Sequence, residues 1–286
     1  MLIDCHVHMN PFWLAKQGAI DKFRNLQRRF DEAWEMAENP ELFLEYLDTQ
    51  GFDGAVAINY VSKDIVGYPP EVNEFAAEFR DAAPDRLRSV AGIDLDGTVD
   101  DVHARMDRII DDLDLDGVKL HPPHQDVRPN AYRDPPVGNN NERLEVLYQR
   151  CADADIPVVI HTGTSFFPGA RNIHTDPMYV DDVCMDFDVD VVMCHGGRPL
   201  YYDEAFYLYR RHDNIYFDIS SIPPTNLLDA FPKLESIAHK TMFGSDWPAP
   251  MIPDIKDNAD DVRDLGLSQE ATDAIMGGNA EEVFGF

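Results

Sequence analysis

The chain has 286 residues, 44% of them hydrophobic and 10% aromatic, enough to bury a large core in one or two domains. Fifty-three acidic residues against 24 basic ones give a formal net charge of −29, which excludes nucleic acid and anionic membranes as expected partners because both repel such a surface. The acids are spread over many segments, as in Asp111-Asp112-Leu113-Asp114-Leu115-Asp116, and read as a solvated shell of the kind suited to a high-salt cytoplasm. No apolar run approaches the roughly 20 residues that span a bilayer. The start lacks the basic region of a signal peptide, so the expected location is cytoplasmic. Cys5, Cys151, Cys184 and Cys194 show no short-range pairing and are expected to be reduced packing residues.

The first strand, Met1 to His8, is an apolar run ending in His6-Val7-His8. Side chains alternate along a strand, so His6 and His8 share one face while Cys5 and Val7 take the other. Two imidazoles on one side of a buried strand end make half of a metal site. An amphipathic pattern predicts one long helix from about Lys16 to Ala37, then a second from Pro40 to Gln50 that stops at Gly51. Strand two is Phe52 to Ile58, followed by a Tyr/Pro-rich loop and a helix over Glu71 to Ala83. Arg86 to Ile93 is strand three, Asp101 to Leu113 a helix, and Asp116 to His121 strand four. A long loop over Pro122 to Asn141 carries His124, Arg128, Tyr132 and Arg133 and precedes a helix at Glu142 to Ala154. Ile156 to His161 is strand five, and a second long loop leads to a helix near Val180 to Phe187. Strands six, seven and eight are Val189 to His195, Ile215 to Ser220 and Thr241 to Asp246, with helices between and after them.

Eight short apolar strands alternating with helices predict a parallel sheet, and eight such units predict a closed (β/α)8 TIM barrel forming a single α/β domain over residues 1–286. An open doubly wound sheet is disfavoured because no strand is followed by a glycine-rich dinucleotide fingerprint. The polar residues fall at strand ends: His6 and His8, Lys119 and His121, His161, His195, and Asp246. In a barrel these ends form one ring, so distant residues meet around the axis. Three imidazoles and a carboxylate suit zinc or a similar divalent ion with one position left for water, and the expected ligands are His6, His8, His161 and Asp246. His195 then stands beside the metal, either as an extra ligand or as a contact to substrate oxygen.

Five segments carry a family likeness: Asp4-Cys-His-Val-His8, Gly117-Val-Lys-Leu-His-Pro122, Val159-Ile-His-Thr-Gly163, Cys194-His-Gly-Gly-Arg-Pro199 and Phe243-Gly-Ser-Asp-Trp-Pro248. The chain resembles the amidohydrolase superfamily, most of all the branch holding the amidohydrolase 2 proteins and the aminocarboxymuconate-semialdehyde decarboxylase-like enzymes. The resemblance implies one catalytic divalent metal, usually zinc with Mn2+ as the other candidate, held by His6, His8, His161 and Asp246, and a catalytic histidine at His195. It also implies an uncarboxylated Lys119 that orients an anionic substrate or pairs with a nearby carboxylate, His121 behind it, and a homodimer as the assembly to test.

In a hydrolase of this kind the metal would lower the pKa of its water, Asp246 would take the proton and pass it to the leaving group, and His195 would donate to the oxyanion. The substrate would be a small carboxylated or cyclic amide, ester or lactone. A rival reading is non-oxidative decarboxylation of an aromatic or unsaturated acid, with Trp13, Phe166, Phe167, Tyr201, Tyr202 and Trp247 as the aromatic set around it. Arg171 and Arg198 are the expected carboxylate clamps, since guanidinium binds such groups bidentately. A third reading, from a different class, is a metal-free binding barrel.

Overall fold

The computed structural model describes residues 1–134 and 141–286. Its eight strands are β1 (Ile3–Val7), β2 (Gly54–Ile58), β3 (Leu87–Gly92), β4 (Val118–Leu120), β5 (Val158–His161), β6 (Val191–Cys194), β7 (Ile215–Asp218) and β8 (Thr241–Met242). They pair in parallel in sequence order, each with the next. Closure comes from the extended segment after β8. Cys5 N–H donates to Phe243 O (2.9 Å), Asp246 N–H to His6 O (2.8 Å) and His8 N–H to Trp247 O (2.7 Å). The sheet is therefore the expected (β/α)8 barrel.

The helices are α1 (Gln17–Leu26), α2 (Phe30–Glu38), α3 (Pro40–Gln50), α4 (Val72–Asp81), α5 (Val99–Asp107), α6 (Pro122–Gln125) and α7 (Asn141–Asp153). They continue with α8 (Met178–Asp186), α9 (Tyr202–Arg211), α10 (Pro224–Ala230), α11 (Ile255–Arg263), α12 (Gln269–Asp273) and α13 (Asn279–Phe284). Among the described residues no helix is long and apolar enough to cross a membrane.

Strand residues split by alternation into two apolar sets, as both faces of a barrel strand demand. Val7, Val118, Leu120, Val158, Ile160 and Met193 pack outward under the helices. Ile3, Cys5, Val56, Val159, Val192 and Met242 fill the interior, with Ala280 and Phe284 of α13 closing its floor.

Two expectations need correction. The single helix predicted over Lys16 to Ala37 is α1 and α2, broken at Gln27, whose backbone is extended (φ −119°, ψ 115°). The break lets the Gln27 amide leave the helix and donate to Ala249 O and Ile252 O, both at 3.0 Å. Those two hydrogen bonds tie α1 to the loop after β8, beyond the reach of a local periodicity. The Pro122 to Asn141 loop is partly helical, at α6 and in a turn over Ala131–Arg133, while its stretch 135–140 lies outside the described residues.

Candidate active site

Strand β1 carries the first part of the site. Its pairing with β2 shifts register between Asp4 and Val7, so simple alternation fails there. Cys5 faces the barrel interior, and His6 and His8 both reach the centre of the C-terminal rim. Cys194 likewise faces inward, because His195 adopts a left-handed backbone (φ 66°) and leaves the strand. The expectation that Cys5 takes the face opposite the histidines is thus wrong for geometric reasons. Both remain free, buried thiols.

Three of the four expected ligand atoms converge. His8 Nε2 lies 3.0 Å and His6 Nε2 3.6 Å from Asp246 Oδ1, and the two imidazole nitrogens are 3.3 Å apart. Their protonation follows from their other partners. His8 Nδ1 is 3.0 Å from the Ile58 carbonyl, which can only accept, so the proton sits on Nδ1. His6 Nδ1 is 2.5 Å from Asp218 Oδ2. Burial would raise the Asp218 carboxyl, but the adjoining His6 ring with its N–H bond and the bonds from Ser220 hold it low and ionised. It therefore accepts from His6 Nδ1–H. Burial in turn keeps the His6 ring neutral, against the pull of Asp218. Two imidazole lone pairs and a carboxylate oxygen thus point at one another with no proton between them, an arrangement that a cation resolves.

Asp246 also has a left-handed backbone (φ 66°), and its Oδ2 accepts from Ser221 Oγ. Burial raises its carboxyl, but the neighbouring His8 and His6 imidazoles and the Arg198 guanidinium overcome that and hold it well below the usual carboxylate range. Gly244 permits the close approach behind it: a Cβ there would lie 2.4 Å from Asp218 Oδ1 and 2.8 Å from His6 Cβ.

His161 lies beside this trio rather than within it. Its ring stacks on His121 (centroids 4.2 Å apart) and meets His195 edge-on at 4.7 Å, and its buried Nε2 has no hydrogen-bond partner among the described residues. His195 Nδ1 is 3.0 Å from Ser220 O, again an obligate acceptor, so its free lone pair is on Nε2. Burial, then the charges of Arg198 and Lys119, hold this ring neutral.

The remaining expected residues divide. His121 and Arg198 line the cavity above the cluster, together with Phe166 and Phe167. Lys119 does not: it is 2% exposed and its Nζ donates to Cys194 Sγ at 3.0 Å inside the barrel. Arg171 faces outward, 3.9 Å from Asp126. Trp247 is fully buried and stacks on Tyr46 (4.6 Å), and Trp13 packs against Trp34 and Phe75. Tyr202 packs on Phe231. Cavity residues not anticipated as site residues include Asn10, Phe12, Phe23, Tyr60 and His124. Asp218, Ser220 and Ser221 were also missed, although Asp218 ends β7 as the histidines end theirs, and that position was the available signal.

Known proteins share this architecture. An uncharacterized TIM-barrel protein from Bordetella bronchiseptica superposes with a TM-score of 0.78 at 24% identity, over 99% of this chain and 98% of that one. A probable 2-pyrone-4,6-dicarboxylic acid hydrolase from Acinetobacter baumannii gives 0.66 at 17% identity, over 100% and 99% of the two chains. The 5-carboxyvanillate decarboxylase of Sphingomonas paucimobilis gives 0.63 at 13% identity, over 100% and 99%. At these identities the likeness is one of fold. Among curated protein sequences none matches this chain. The family model for amidohydrolases of the second group matches residues 3–286, and the chain belongs to that family, the amidohydrolase 2 branch of an enzyme superfamily.

Proposed function

We propose that the protein is a metal-dependent hydrolase of a small carboxylated or cyclic ester, lactone or amide. The observation that carries this reading is the convergence of His6 Nε2, His8 Nε2 and Asp246 Oδ1, each left as an acceptor by its other hydrogen bonds. These three residues, with His161 as the fourth, would hold one divalent ion, Zn2+ first and Mn2+ second by donor type. When bound, such an ion acidifies its water and polarises a carbonyl.

The protein's own groups then handle the protons. Asp246 stays ionised, with Ser221 anchoring Oδ2, and accepts from water at the cluster. His195 enters as a proton acceptor at Nε2, because the Ser220 carbonyl fixes its resting proton on Nδ1. It becomes the donor to the leaving group or oxyanion only after that transfer. Arg198 lines the cavity, its Nε–H has no partner among the described residues, and it would bind a substrate carboxylate.

A second reading is favoured by the ring-rich cavity wall and by decarboxylases among the fold relatives: loss of carbon dioxide from an aromatic acid in the same cavity. Metal analysis after purification without added metal is expected to find about one equivalent. Lactones and amides, assayed beside hydroxybenzoates and muconate-type acids, are expected to be cleaved. Carbon dioxide release without hydrolysis selects the second reading, and metal-free protein removes both.

A further inference from the structure

Three imidazoles lie face to face along the cavity wall. His124 stacks on His121 with centroids 3.8 Å apart and planes 20° from parallel, and His121 stacks on His161 at 4.2 Å and 17°. Neither of the last two rings is anchored at its buried nitrogen: His121 Nδ1 and His161 Nε2 have no hydrogen-bond partner among the described residues. Rotation about the bond that carries an imidazole is broad and roughly two-fold, so such a ring turns easily unless a neighbour holds its plane.

His124 is the anchored member of the stack. Its Nδ1 lies 3.1 Å from Ser62 Oγ and its Nε2 2.9 Å from Ser165 Oγ. Burial, then the charge of Lys119, pushes this ring down to about 3, so it is neutral and offers one donor and one acceptor. Either hydroxyl can take the complementary role. Each is itself placed by a backbone N–H, Ser62 Oγ accepting from Val66 and Ser165 Oγ from Phe167, both at 3.3 Å. The serines belong to the loops after β2 and β5, while His124 sits in α6 after β4, so one ring ties three loops of the rim. The β5 loop closes on itself through Asn172, which accepts from Ser165 N–H (2.8 Å) and donates to Ser165 O (3.0 Å). Ser165 therefore holds its whole loop to His124.

We propose that His124 is a positioning residue: it docks the β5 loop on the barrel through Ser165 and, through its stack, sets the ring planes of His121 and His161 at the cavity. The inference rests on reading this cavity as the active site with His161 as fourth ligand, but its test needs neither metal binding nor turnover. Amide hydrogen exchange over residues 164–172 and the imidazole cross-peaks of protein labelled with 15N-histidine are compared on the full chain as purified, parent and variants at equal metal content. Ser165→Ala is expected to speed exchange in that loop about fivefold, the effect of losing one hydrogen bond, with the amides of β5 and β6 unchanged. His124→Phe keeps a ring in the stack but loses both serines. Its loop is expected to exchange at least as fast as in Ser165→Ala, while the His121 and His161 cross-peaks stay near their parent positions. His124→Ala removes the stack, and both cross-peaks are expected to move and broaden. His124→Leu, which fills the space without a flat face, is expected to move them in the same way and decides the matter where the alanine variant does not fold. Unchanged loop exchange in Ser165→Ala and His124→Phe overturns the inference, as do unmoved His121 and His161 cross-peaks in the variants without a ring. A protein that meets these expectations yet turns over no substrate counts against the hydrolase reading alone.

Discussion

Asp218 shows how one residue sets the chemistry of its neighbours without entering the cluster. Its Oδ2 takes the His6 Nδ1 proton and its Oδ1 accepts from Ser220 N–H (2.9 Å), while Ser220 Oγ sits 2.9 Å from His195 Nδ1. One carboxylate and one serine thereby orient two imidazoles with their Nε2 lone pairs free. Asp218→Asn keeps the shape but lets the amide present an N–H to His6, which would move the proton to Nε2 and silence the lone pair. Metal affinity, measured by competition with a chelator, is expected to fall 10–100-fold, about what loss of such an orienting partner costs. Unchanged affinity would refute the tautomer assignment. The sequence marks the histidines because strand-end His is conspicuous against an apolar run. It hides Ser220 and Ser221, which look like ordinary turn residues until a left-handed backbone at Ser221 (φ 58°) aims that hydroxyl at Asp246.

At the scale of elements, alternation and punctuation were enough for the barrel, since each β-then-α unit is a local pattern and eight of them leave few ways to close. The cavity was less legible, because its walls come from segments joined only in three dimensions. Phe23 lines the cavity from α1, whose end Gln27 ties to the loop after β8, and no window of sequence contains both. Strand joining has its own titratable pin. Asp116, leading into β4, accepts Ser89 N–H of β3 at 2.7 Å. Burial pushes its carboxyl up to about 6, against the Ser89 hydrogen bond and the charges of Arg80 and Arg88. The folded protein thus holds this proton more tightly than the unfolded chain, where aspartate titrates near about 3.9. Ionisation therefore costs stability as pH rises from about 4 to about 6, and the penalty is complete above that window. Asp116→Asn removes it. The variant's melting temperature relative to the parent is expected to climb between about pH 4 and 6 and then level off. A difference independent of pH would mean that Asp116 is not the group titrating.

For the whole molecule the controlling quantity is the excess of 53 acidic over 24 basic residues. Many cations are already committed: Arg133 bridges Asp182 (2.7 Å) and Asp186 (2.5 Å), and Arg29 pairs with Glu32 and Asp254, both at 2.6 Å. Two electrostatic effects of opposite sign follow. Salt weakens exposed ion pairs, but each of these contributes only about 0–1 kcal/mol. Salt also screens the mutual repulsion of the uncompensated acids, which spans the entire surface and acts over about 10 Å at 0.1 M but only about 3 Å at 1 M ionic strength. With a net charge of −29 the repulsion dominates, because pairing every cation still leaves the excess untouched. The melting temperature is expected to rise steeply as KCl increases from about 0.1 to about 1 M, with NaCl giving a similar gain, and more slowly beyond, once the screening length falls below typical charge spacings. A melting temperature that falls from the first addition of salt would show that the ion pairs outweigh the repulsion, and that the acidic excess carries no stability cost for the folded chain.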